Sequence, residues 1–574
     1  MKGPSTVDPL ERAMRCWLGS HAPTHGAVLA SCAAALHAAR KEGNSCIALE
    51  ELARQSGHQA AEILAALRGS KLCNDGSTPS VFVLDASQRL YFHRTWLAES
   101  GIAGTMARRI ATPLDTDPAL AGALVREQFK EAATRVDWQA IAVAAAVRNR
   151  FTVVTGGPGT GKTYTVARLI HVLRGLQQDL SFALAAPTGK AARRMKESLA
   201  DAKVTDLPES LTLHSLLGFQ GGKATFARNE RNPVPHDLVV VDEASMADVE
   251  LLHALVGALR PEARLVLVGD RDQLPSVDLR QVLADLCGMA RPELGVGSAL
   301  AGWCRTAGLQ VEERTDGSAG DPMASAVVAL RVTRRFDPDS GLGRTARAIS
   351  ERRPDTVEAV LQTTPADLRR VEPVALADEL QRLLPRLKAC VEPEDPALAL
   401  AAHKALRVLC VQNEGPYSVT DLNQRIEKLL DVRGTSYHGR PVLVTRNDPD
   451  LGLNNGDQGV CIVSEGIARV HFASDSATPR SFLPEQLPEH RTAWAMTVHK
   501  AQGSEADEVL LVLPPDPKGP LESLLQAPLV YTGLTRARAK ATVVATAEVL
   551  KKALSTWPDR RTGFADALRA ALGS

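Results

Sequence analysis

The chain has 574 residues, of which 44% are hydrophobic and 23% charged, and this composition excludes a wholly disordered chain or a fibrous repeat. Lysine and arginine total 67 against 66 for aspartate and glutamate, so a uniformly basic protein is excluded and any track for nucleic acid must be local. Nine cysteines without a C-x-x-C pair or zinc spacing argue against a metal ribbon. Neither a secretory signal nor a membrane span is predicted, which favours a cytoplasmic protein with no membrane contact.

The first 112 residues are predicted to form a mainly helical accessory domain without catalytic clusters. The polar, proline-containing stretch 111–118 that follows is typical of a linker. Apolar residues at helical spacing, or in short alternating runs, mark the expected elements. These are helices at 10–18, 26–39 and 49–67 and a strand pair at 80–84 and 89–92.

An alternation of short β-branched runs with helical stretches begins near residue 137. Strands separated by helices in this order predict an α/β fold with a parallel sheet and βαβ connections. A second alternating region extends from 408 to 545, and short strand-like runs between 441 and 487 predict a small β-barrel inserted into it. The stretch 291–321, rich in glycine, proline and charge, is predicted to be a loop or a variable insertion. The first sheet is expected to contain strands at 151–155, 182–186, 238–241 and 265–268.

A glycine-rich turn lies between the strand at 151–155 and a helical stretch, and it matches the P-loop pattern G-x-x-x-x-G-K-[ST]. Its glycines allow a close backbone approach, and the helix N-terminus offers unpaired N–H groups to phosphate oxygens. Lys162 is expected to reach the β- and γ-phosphates of ATP, and the Thr163 hydroxyl is expected to bind Mg²⁺. The nucleotide-binding residues predicted here are Gly156, Gly157, Pro158, Gly159, Thr160, Gly161, Lys162 and Thr163.

Two carboxylates follow the apolar run 238–241, at the end of a strand, where ligands of parallel sheets bind. We expect Asp242 to orient Mg²⁺ and Glu243 to activate the water that attacks the γ-phosphate. Taken alone, such a pair is as often a helix N-cap, and a P-loop alone would also fit kinases and GTPases. Further motifs must therefore decide among these classes.

The order of the further motifs resembles that of superfamily 1 DNA helicases. The segment LVGDRDQLPSV at 267–277 resembles motif III, and this resemblance implies that Gln273 senses the γ-phosphate. Before the P-loop strand, the segment D-W-Q-A is similar to the Q-motif of the family, in which the glutamine amide, here that of Gln139, reads adenine.

Two arginines are expected to complete the site from a second lobe. The segments 330–336 and 529–538 resemble motifs IV and VI, and the resemblance implies that Arg335 and Arg536 face the γ-phosphate. Such arginines stabilise charge in the transition state and make lobe closure depend on ATP. A lone arginine is otherwise usually a solvated surface residue.

Three segments resemble the motifs that contact single-stranded DNA in these helicases. Segments 185–192 and 211–218 resemble motifs Ia and Ib, and 493–505 resembles motif V and is predicted to be a strand that turns into a helix. Hydroxyls, amides and a lysine at a loop entering a helix can bind backbone phosphates without reading bases, although 187–189 could simply cap the next helix. The resemblance implies DNA contacts for Pro187, Thr188, Gly189, Lys190, Thr212, His214, Thr497, Lys500 and Gln502.

The resemblance covers residues 137–538, and its details point to one branch of the superfamily. The P-loop sequence GGPGTGKT, the segment TVHKAQG and the compact insert resemble the RecD-like helicases, the 5′-to-3′ branch. This resemblance implies two RecA-like P-loop NTPase domains, at 113–335 and 336–574, that follow the N-terminal domain 1–112. It also implies that the inserted barrel, at 440–488, is SH3-like.

The same resemblance implies an activity and partners. A RecD-type chain would be an ATP- and Mg²⁺-dependent 5′-to-3′ helicase that joins RecB and RecC in exodeoxyribonuclease V (RecBCD). It would act on single-stranded DNA and duplex ends, in double-strand break repair by homologous recombination. Two alternatives stay open: a stand-alone RecD-like helicase, and a structural subunit whose NTPase site is inactive. The short N-terminal region is more like the RecBCD subunit, because stand-alone relatives carry a larger one.

Overall fold

Two parallel β-sheets form the centre of the computed structural model, which describes residues 9–221, 225–274, 282–448, 450–474 and 479–573. The first sheet has six strands, and its neighbouring strands all run parallel, which confirms the prediction. Helices cover both faces, so both sides of the central, β-branched strands are buried. In spatial order the strands are Val327–Leu330, Phe151–Gly156, Arg264–Gly269, Leu238–Val241, Phe182–Ala186 and Ser210–Thr212.

The helices of this first unit pack around its sheet. The helix Trp138–Arg148 is buried throughout residues 140–147, where small alanine side chains allow close packing. A short antiparallel hairpin, Phe219–Gln220 with Thr225–Phe226, stands apart from the sheet. The other helices of the unit are Pro118–Gln128, Lys162–Leu176, Gly189–Asp201, Leu213–Leu216, Val249–Gly257, Val282–Ala290 and Ser298–Thr306.

The stretch 291–321 is not the loop that its glycine and charge content predicts. It contains the helix Ser298–Thr306, which packs against the helix Pro118–Gln128 through buried side chains that include Leu300 and Cys304. These apolar residues lie one helical turn apart on the same face, so hydrophobic burial stabilises a helix despite its polar flanks. The loop prediction is wrong here because overall composition conceals a short amphipathic pattern.

The second sheet has five strands, all parallel to their neighbours. The segment 331–336 leads into this unit from the last strand of the first sheet. In spatial order the strands are Leu368–Val371, Ala537–Val544, Ala506–Val512, Leu406–Cys410 and Ala495–Thr497. The helices of the unit are Gly341–Ser350, Pro354–Gln362, Leu376–Val391, Pro396–Ala405, Val419–Leu429, Pro520–Leu524, Ala527–Leu534 and Ala547–Ser555.

The segment after the strand Ala495–Thr497 differs from its prediction. The sequence predicts a helix there, but residues 498–503 form tight turns that lead into the strand Ala506–Val512. Gly503, at φ 69°, reverses the chain in the left-handed region that glycine adopts without strain. The stretch with helical spacing is only a few residues long, and this glycine ends it.

An antiparallel sheet of five strands lies in sequence between the helix Val419–Leu429 and the strand Ala495–Thr497. It has a small hydrophobic core of its own. Glu465 and Gly466, both at positive φ, form a two-residue turn of the kind that joins antiparallel strands. In spatial order its strands are Arg480–Phe482, Ile467–Phe472, Gln458–Ser464, Pro441–Val444 and His490–Thr492.

The described part of the region before residue 112 contains five helices and a four-stranded sheet. The predicted strand pair is confirmed, and the single helix expected at 49–67 is two helices because Gly57, at φ 74°, ends the first. The helices are Pro9–His21, Gly26–Lys41, Leu49–Ser56, Ala60–Gly69 and His93–Ala111, and the strands are Ile47–Ala48, Cys73–Asn74, Phe82–Leu84 and Arg89–Phe92. Among the residues that the structure describes, no helix has the length and apolar character needed to cross a membrane.

The last described residues return to the first unit. After the second unit ends, the helix Phe564–Leu572 packs along the helix His93–Ala111. Phe564 and Leu568 are buried in the core on one face of the first sheet. The two units are therefore joined both by the segment 331–336 and by residues 556–573, which we call the C-terminal strap.

Candidate active site

The P-loop leads from a central strand into the helix Lys162–Leu176. Gly159 and Gly161 have φ values of 75° and 82°, which other residues rarely adopt. Both are also crowded. A Cβ on Gly159 would stand 2.3 Å from Cβ of Arg335, and one on Gly161 would stand 2.3 Å from Nε2 of Gln139. The loop therefore requires glycine at both positions.

Lys162 begins the P-loop helix, and its ammonium turns back onto the loop. Nζ donates hydrogen bonds to the carbonyl oxygens of Gly156 (2.7 Å) and Gly157 (3.1 Å). Burial lowers the pKa of Lys162, and the negative charges of Asp270 and Glu243 oppose this shift. A buried cation held by loop carbonyls can exchange them for the oxygens of a phosphate, which is a stronger acceptor.

The carboxylates opposite the lysine stand at the ends of two adjacent strands. Asp242 and Glu243 follow the strand Leu238–Val241, and Asp270 follows the strand Arg264–Gly269. Burial and the charge of Glu243 raise the pKa of Asp242 to about 6, and burial also raises the pKa of Asp270. A nearby positive charge stabilises the ionised form of such buried carboxylates. Mg²⁺ bound here would supply that charge.

Two arginines face the lysine from the other side. Arg335 Nη1 donates to the carbonyl oxygen of Thr535 (2.7 Å), and Arg536 Nε donates to that of Thr532 (3.1 Å). Burial lowers the pKa of Arg335 to about 9 and also lowers that of Arg536, which the charge of Glu243 partly restores. Because these guanidinium groups are buried, they favour an anionic partner.

These groups converge on one pocket between the two units. The P-loop and the strand ends form one wall, and the two arginines with the turn at 503–505 form the other. Gly156, Gly157 and Thr160 instead line a second cavity on another side of the loop. The predicted residues that line the pocket are Pro158, Gly159, Gly161, Lys162, Thr163, Asp242, Glu243, Gln273, Arg335 and Arg536.

Two glutamines hold the loops that frame this pocket. Gln139 lies outside it, where its Nε2 donates to the carbonyl oxygen of Thr160 (2.9 Å). Gln273 is 5% exposed, and its Nε2 donates to Oδ2 of Asp270 (3.1 Å). Residues 275–277, the end of the predicted motif III, lie outside the described residues.

The first predicted DNA segment begins the helix Gly189–Asp201. Thr188 Oγ1 accepts a hydrogen bond (3.3 Å) from the backbone N–H three residues later, so this threonine caps the helix. Pro187 and Gly189 beside it are half-buried. Nζ of Lys190 is enclosed without a hydrogen-bond partner, and burial lowers the pKa of Lys190 to about 7.

The second predicted DNA segment is separate from the nucleotide pocket. Thr212 Oγ1 accepts a hydrogen bond from the Ser215 N–H (3.1 Å) and caps the short helix Leu213–Leu216. His214 is exposed, and its ring lies edge-on to Phe219, with 5.4 Å between the ring centroids. Neither predicted residue lines the pocket.

The three predicted residues of the third DNA segment differ in how deeply they are buried. Gln502 is buried, and its Nε2 donates to the carbonyl oxygen of Leu274 in the first unit (2.6 Å). Thr497 is also buried, and its Oγ1 accepts from the Lys500 N–H (3.4 Å). Lys500 is half-buried, and its Nζ donates to Oδ1 of Asn455 near the inserted sheet (2.7 Å). Of the three side chains, that of Lys500 is the most open to a ligand.

The sequence-based prediction misses one cation of the pocket, Arg194. Its Nη1 reaches across the gap between the units and donates to the carbonyl oxygen of Gly503 (2.6 Å). Glu505 also lines the pocket, and its carboxylate pairs with Arg194 and Arg335. Arg194 lies four residues after Lys190, so both face the same side of one helix, and that spacing is the signal that could have found it.

Two family models match the chain on opposite sides of the pocket. The AAA domain matches residues 139–278, and the UvrD-like helicase C-terminal domain matches residues 492–544. The first match contains the P-loop and the acidic pair, and the second contains Glu505 and Arg536. The first match therefore contains the P-loop wall, and the second contains the opposite wall except for Arg335.

Relatives that align over most of this chain identify the family. The RecBCD enzyme subunit RecD of Mycobacterium tuberculosis is 35% identical over 92% of this chain and 88% of the relative. The RecBCD enzyme subunit RecD of Haemophilus influenzae is 32% identical over 83% of this chain and 79% of the relative. The ATP-dependent RecD2 DNA helicase of Deinococcus radiodurans is 29% identical over 78% of this chain and 54% of the relative. The identity shared with the first two extends over most of both chains, and this protein therefore belongs to the RecD family.

Proposed function

We propose that this chain is an ATP-dependent 5′-to-3′ DNA helicase subunit of a RecBCD-type enzyme, which unwinds DNA ends for repair by homologous recombination. One observation carries the proposal: Lys162 and Glu243 face Arg335 and Arg536 across a pocket whose walls come from different units. Nucleotide bound in such a pocket favours closure of the units, and hydrolysis removes the group that holds them together. Repeated closure and opening would draw a DNA strand along the protein.

The residues of the pocket fit a magnesium nucleotide. Lys162 would exchange its two loop carbonyls for phosphate oxygens, and Gln273 would report the γ-phosphate to the neighbouring loop. Thr163 and Asp242 would hold Mg²⁺, which supplies positive charge to the phosphates when bound. Glu243 would orient the attacking water and take its proton, while the two arginines stabilise the charge that develops on the γ-phosphate.

The predicted DNA residues divide into two roles under this proposal. The loop 187–190, Thr212, His214 and Lys500 would contact the phosphate backbone, because Lys190 lines a basic groove and none of the others is buried. Thr497 and Gln502 would act from within the fold, by holding the turn that joins the units.

We further propose domain limits that follow the sheets. The chain leaves the first sheet after Leu330, and the antiparallel sheet begins at Pro441 and ends at Thr492. We propose RecA-like domains at 113–335 and 336–574 and an SH3-like barrel inserted at 440–488. The break after Leu330 and the strand start at Pro441 support the limits at 335 and 440, whereas the strand His490–Thr492 lies beyond the proposed end of the barrel and the C-terminal strap packs against the first unit. Residues 1–112 would form the domain that docks on RecB and RecC.

The sequence identities favour a RecBCD subunit over a stand-alone helicase. Two RecD subunits are 35% and 32% identical over 92% and 83% of this chain, and the RecD2 helicase is 29% identical over 78% of it. An inactive structural subunit is disfavoured because the lysine, the acidic pair and both arginines are all present and face one pocket. Co-expression with RecB and RecC should therefore yield a stable complex, and a chain that never associates with them would favour the stand-alone alternative.

Lys162→Gln tests the proposed activity. The substitution removes the charge that binds the phosphates, so DNA-stimulated ATP hydrolysis and unwinding should fall by roughly 100-fold or more while circular dichroism stays unchanged. Lys552→Gln, at a lysine whose side chain is 61% exposed, should behave like the wild type. The wild-type chain should unwind duplexes that carry a 5′ single-stranded tail. Normal hydrolysis by Lys162→Gln would contradict the proposal, and unwinding of 3′-tailed duplexes alone would contradict its polarity.

A further inference from the structure

Three residues form a partition between the nucleotide pocket and a neighbouring groove. Arg194, Gly503 and Glu505 line both cavities. Arg194 comes from the helix Gly189–Asp201 of the first unit, and the other two precede the strand Ala506–Val512 of the second. The partition is therefore itself a contact between the two units, and a change in either cavity bears on it.

The groove on the far side of this partition carries more basic than acidic side chains. It has a volume of about 500 Å³ and lies where the helices Gly189–Asp201 and Pro396–Ala405 meet residues 456–458 of the inserted region. Lys190, one helical turn before Arg194, points an unpartnered ammonium into this enclosed region. Such a group favours an anionic ligand, for example a phosphodiester. The charged lining residues are Lys190, Arg193, Arg194, Lys404, Arg407 and Arg538, with Glu197, Asp457, Glu505 and Asp507.

Glu505 is shared among arginines of both cavities. Its Oε1 pairs with Arg194 and Arg335, and its Oε2 accepts a hydrogen bond from Nε of Arg538 (2.9 Å). Arg335 lines the nucleotide pocket, and Arg538 lines the groove. Burial and the charge of Arg536 lower the pKa of Arg194, so its cationic form depends on nearby anions. One carboxylate thus neutralises cations that would otherwise repel one another.

We infer that Arg194 couples the nucleotide pocket to the DNA groove by exchanging Glu505 for the γ-phosphate. The inference rests on the proposed function and adds a role to it. A γ-phosphate offers Arg194 and Arg335 three acceptor oxygens and more negative charge, against two oxygens and a single charge on the carboxylate of Glu505. Glu505 is then left with Arg538, on the groove side. The charge and contacts of the partition change there, and the affinity for an anionic strand changes with them.

The exchange distinguishes the triphosphate from the product of hydrolysis. A nucleoside diphosphate lacks the phosphate that competes with Glu505, so Arg194 returns to the carboxylate after hydrolysis and phosphate release. The partition therefore has two arrangements, and each is favoured by one state of the nucleotide, as a coupling device requires.

The test measures how nucleotide changes the affinity of the full chain for single-stranded DNA. The coupling factor is the ratio of Kd values for an oligo-dT strand with and without saturating Mg²⁺ and a non-hydrolysable ATP analogue. For the wild type we expect a factor of about 5–150 in either direction, and for Arg194→Gln a factor within about 2-fold of unity. Lys196→Ala, on the same helix but outside both cavities, should keep the wild-type factor. Because saturating analogue is used, weaker nucleotide binding alone does not change the ratio.

Unchanged coupling in a folded Arg194→Gln chain would overturn the inference. If that variant does not fold, Glu505→Gln decides, because loss of the exchanging carboxylate must also lower the factor, and an unchanged factor again overturns the inference. Failure of the proposed function would give a different experimental result from failure of the inference. A wild-type chain that binds neither DNA nor nucleotide contradicts the helicase assignment, whereas a DNA-stimulated ATPase insensitive to Arg194 contradicts the coupling role alone.

Discussion

The backbone N–H of Gly563 donates a hydrogen bond to Oε2 of Glu99 at 3.0 Å, and this contact fastens the C-terminal strap to the N-terminal half of the molecule. Beside it, Arg89 Nη1 pairs with Asp566 of the strap at 2.7 Å. Glu99 is only 4% exposed, so the strap encloses a carboxyl group that has little contact with water. The protonation of this side chain therefore bears on how firmly the strap is attached.

Glu99 should make the strap less stable as the pH rises. Burial raises the pKa of Glu99 to about 7 from an ordinary value of 4.5. The folded protein then holds this proton more tightly than the unfolded chain, so stability falls between about pH 4.5 and pH 7 and is constant above that range. Glu99→Gln keeps an acceptor for Gly563 but cannot ionise, and it should remove a loss of roughly 2–3 kcal/mol between pH 5 and pH 8.

Hydrogen exchange of the helix Phe564–Leu572 at pH 5 and pH 8, corrected for the intrinsic rates, measures this effect locally. Glu62→Gln, at a glutamate whose side chain is 52% exposed, serves as the control and should show the wild-type response. Equal loss of protection with rising pH in the wild type and in Glu99→Gln would refute the role of this carboxyl.

Phe564→Ala should release the strap from the first unit. Phe564 is 1% exposed and belongs to the core that contains Ile102 and Met106. Loss of the ring leaves a cavity and costs roughly 3–5 kcal/mol. A helix of 9 residues has little stability of its own to offset that cost. The strap should then exchange its amide protons at least about 10-fold faster, while the strand Phe151–Gly156 keeps its protection. Unchanged exchange in the strap would show that Phe564 does not anchor it.

The P-loop and the acidic pair are predictable from the sequence because their chemistry is local. Residues 156–163 carry the glycines, the lysine and the threonine within one turn, and the flanking pattern supplies a strand and a helix. Arg194 has a weaker local signal, its spacing of four residues from Lys190, which indicates only that both lie on the same face of one helix. It reaches the pocket because its helix lies against the turn at Gly503, a contact between residues more than 300 positions apart. The spacing does not say which part of the second unit meets that face.

The same limit applies to two other features of the structure. The motif that contains Gln502 suggests a DNA contact, but the amide is buried against Leu274 because the two units meet there. The amphipathic spacing of the helix Phe564–Leu572 indicates that one face is buried, yet no feature of the spacing says that the helix His93–Ala111 covers it. Periodicity identifies an apolar face without identifying its partner.

Gly159→Ala should weaken nucleotide binding without unfolding the chain. The new Cβ would stand 2.3 Å from Cβ of Arg335 and 2.8 Å from its backbone nitrogen, and φ is +75°. The backbone strain alone costs about 1–2 kcal/mol, and relief of the clash moves the loop away from its phosphate-binding shape. We expect at least about 10-fold weaker binding of a fluorescent ATP analogue.

Gly257→Ala is the matched control for this substitution, because nothing lies within 4 Å of the Cβ that it would add. That variant should bind the analogue as the wild type does. Equal affinity in Gly159→Ala would mean that the loop tolerates a side chain beside Arg335 and that its crowding has no functional consequence.

Thr532→Val should weaken the contact between the two units. Thr532 Oγ1 accepts a hydrogen bond from the Leu274 N–H at 2.7 Å, so a loop of the first unit is bound to a helix of the second. Valine keeps the shape but leaves a buried N–H unpaired, which costs roughly 1–3 kcal/mol in the closed arrangement. Closure should then require more nucleotide, and the KM for ATP should rise by about 5- to 100-fold in the presence of DNA. Thr535→Val is the control, because the Thr535 hydroxyl donates within its own helix. If both variants raise KM equally, the hydrogen bond to Leu274 does not hold the units together.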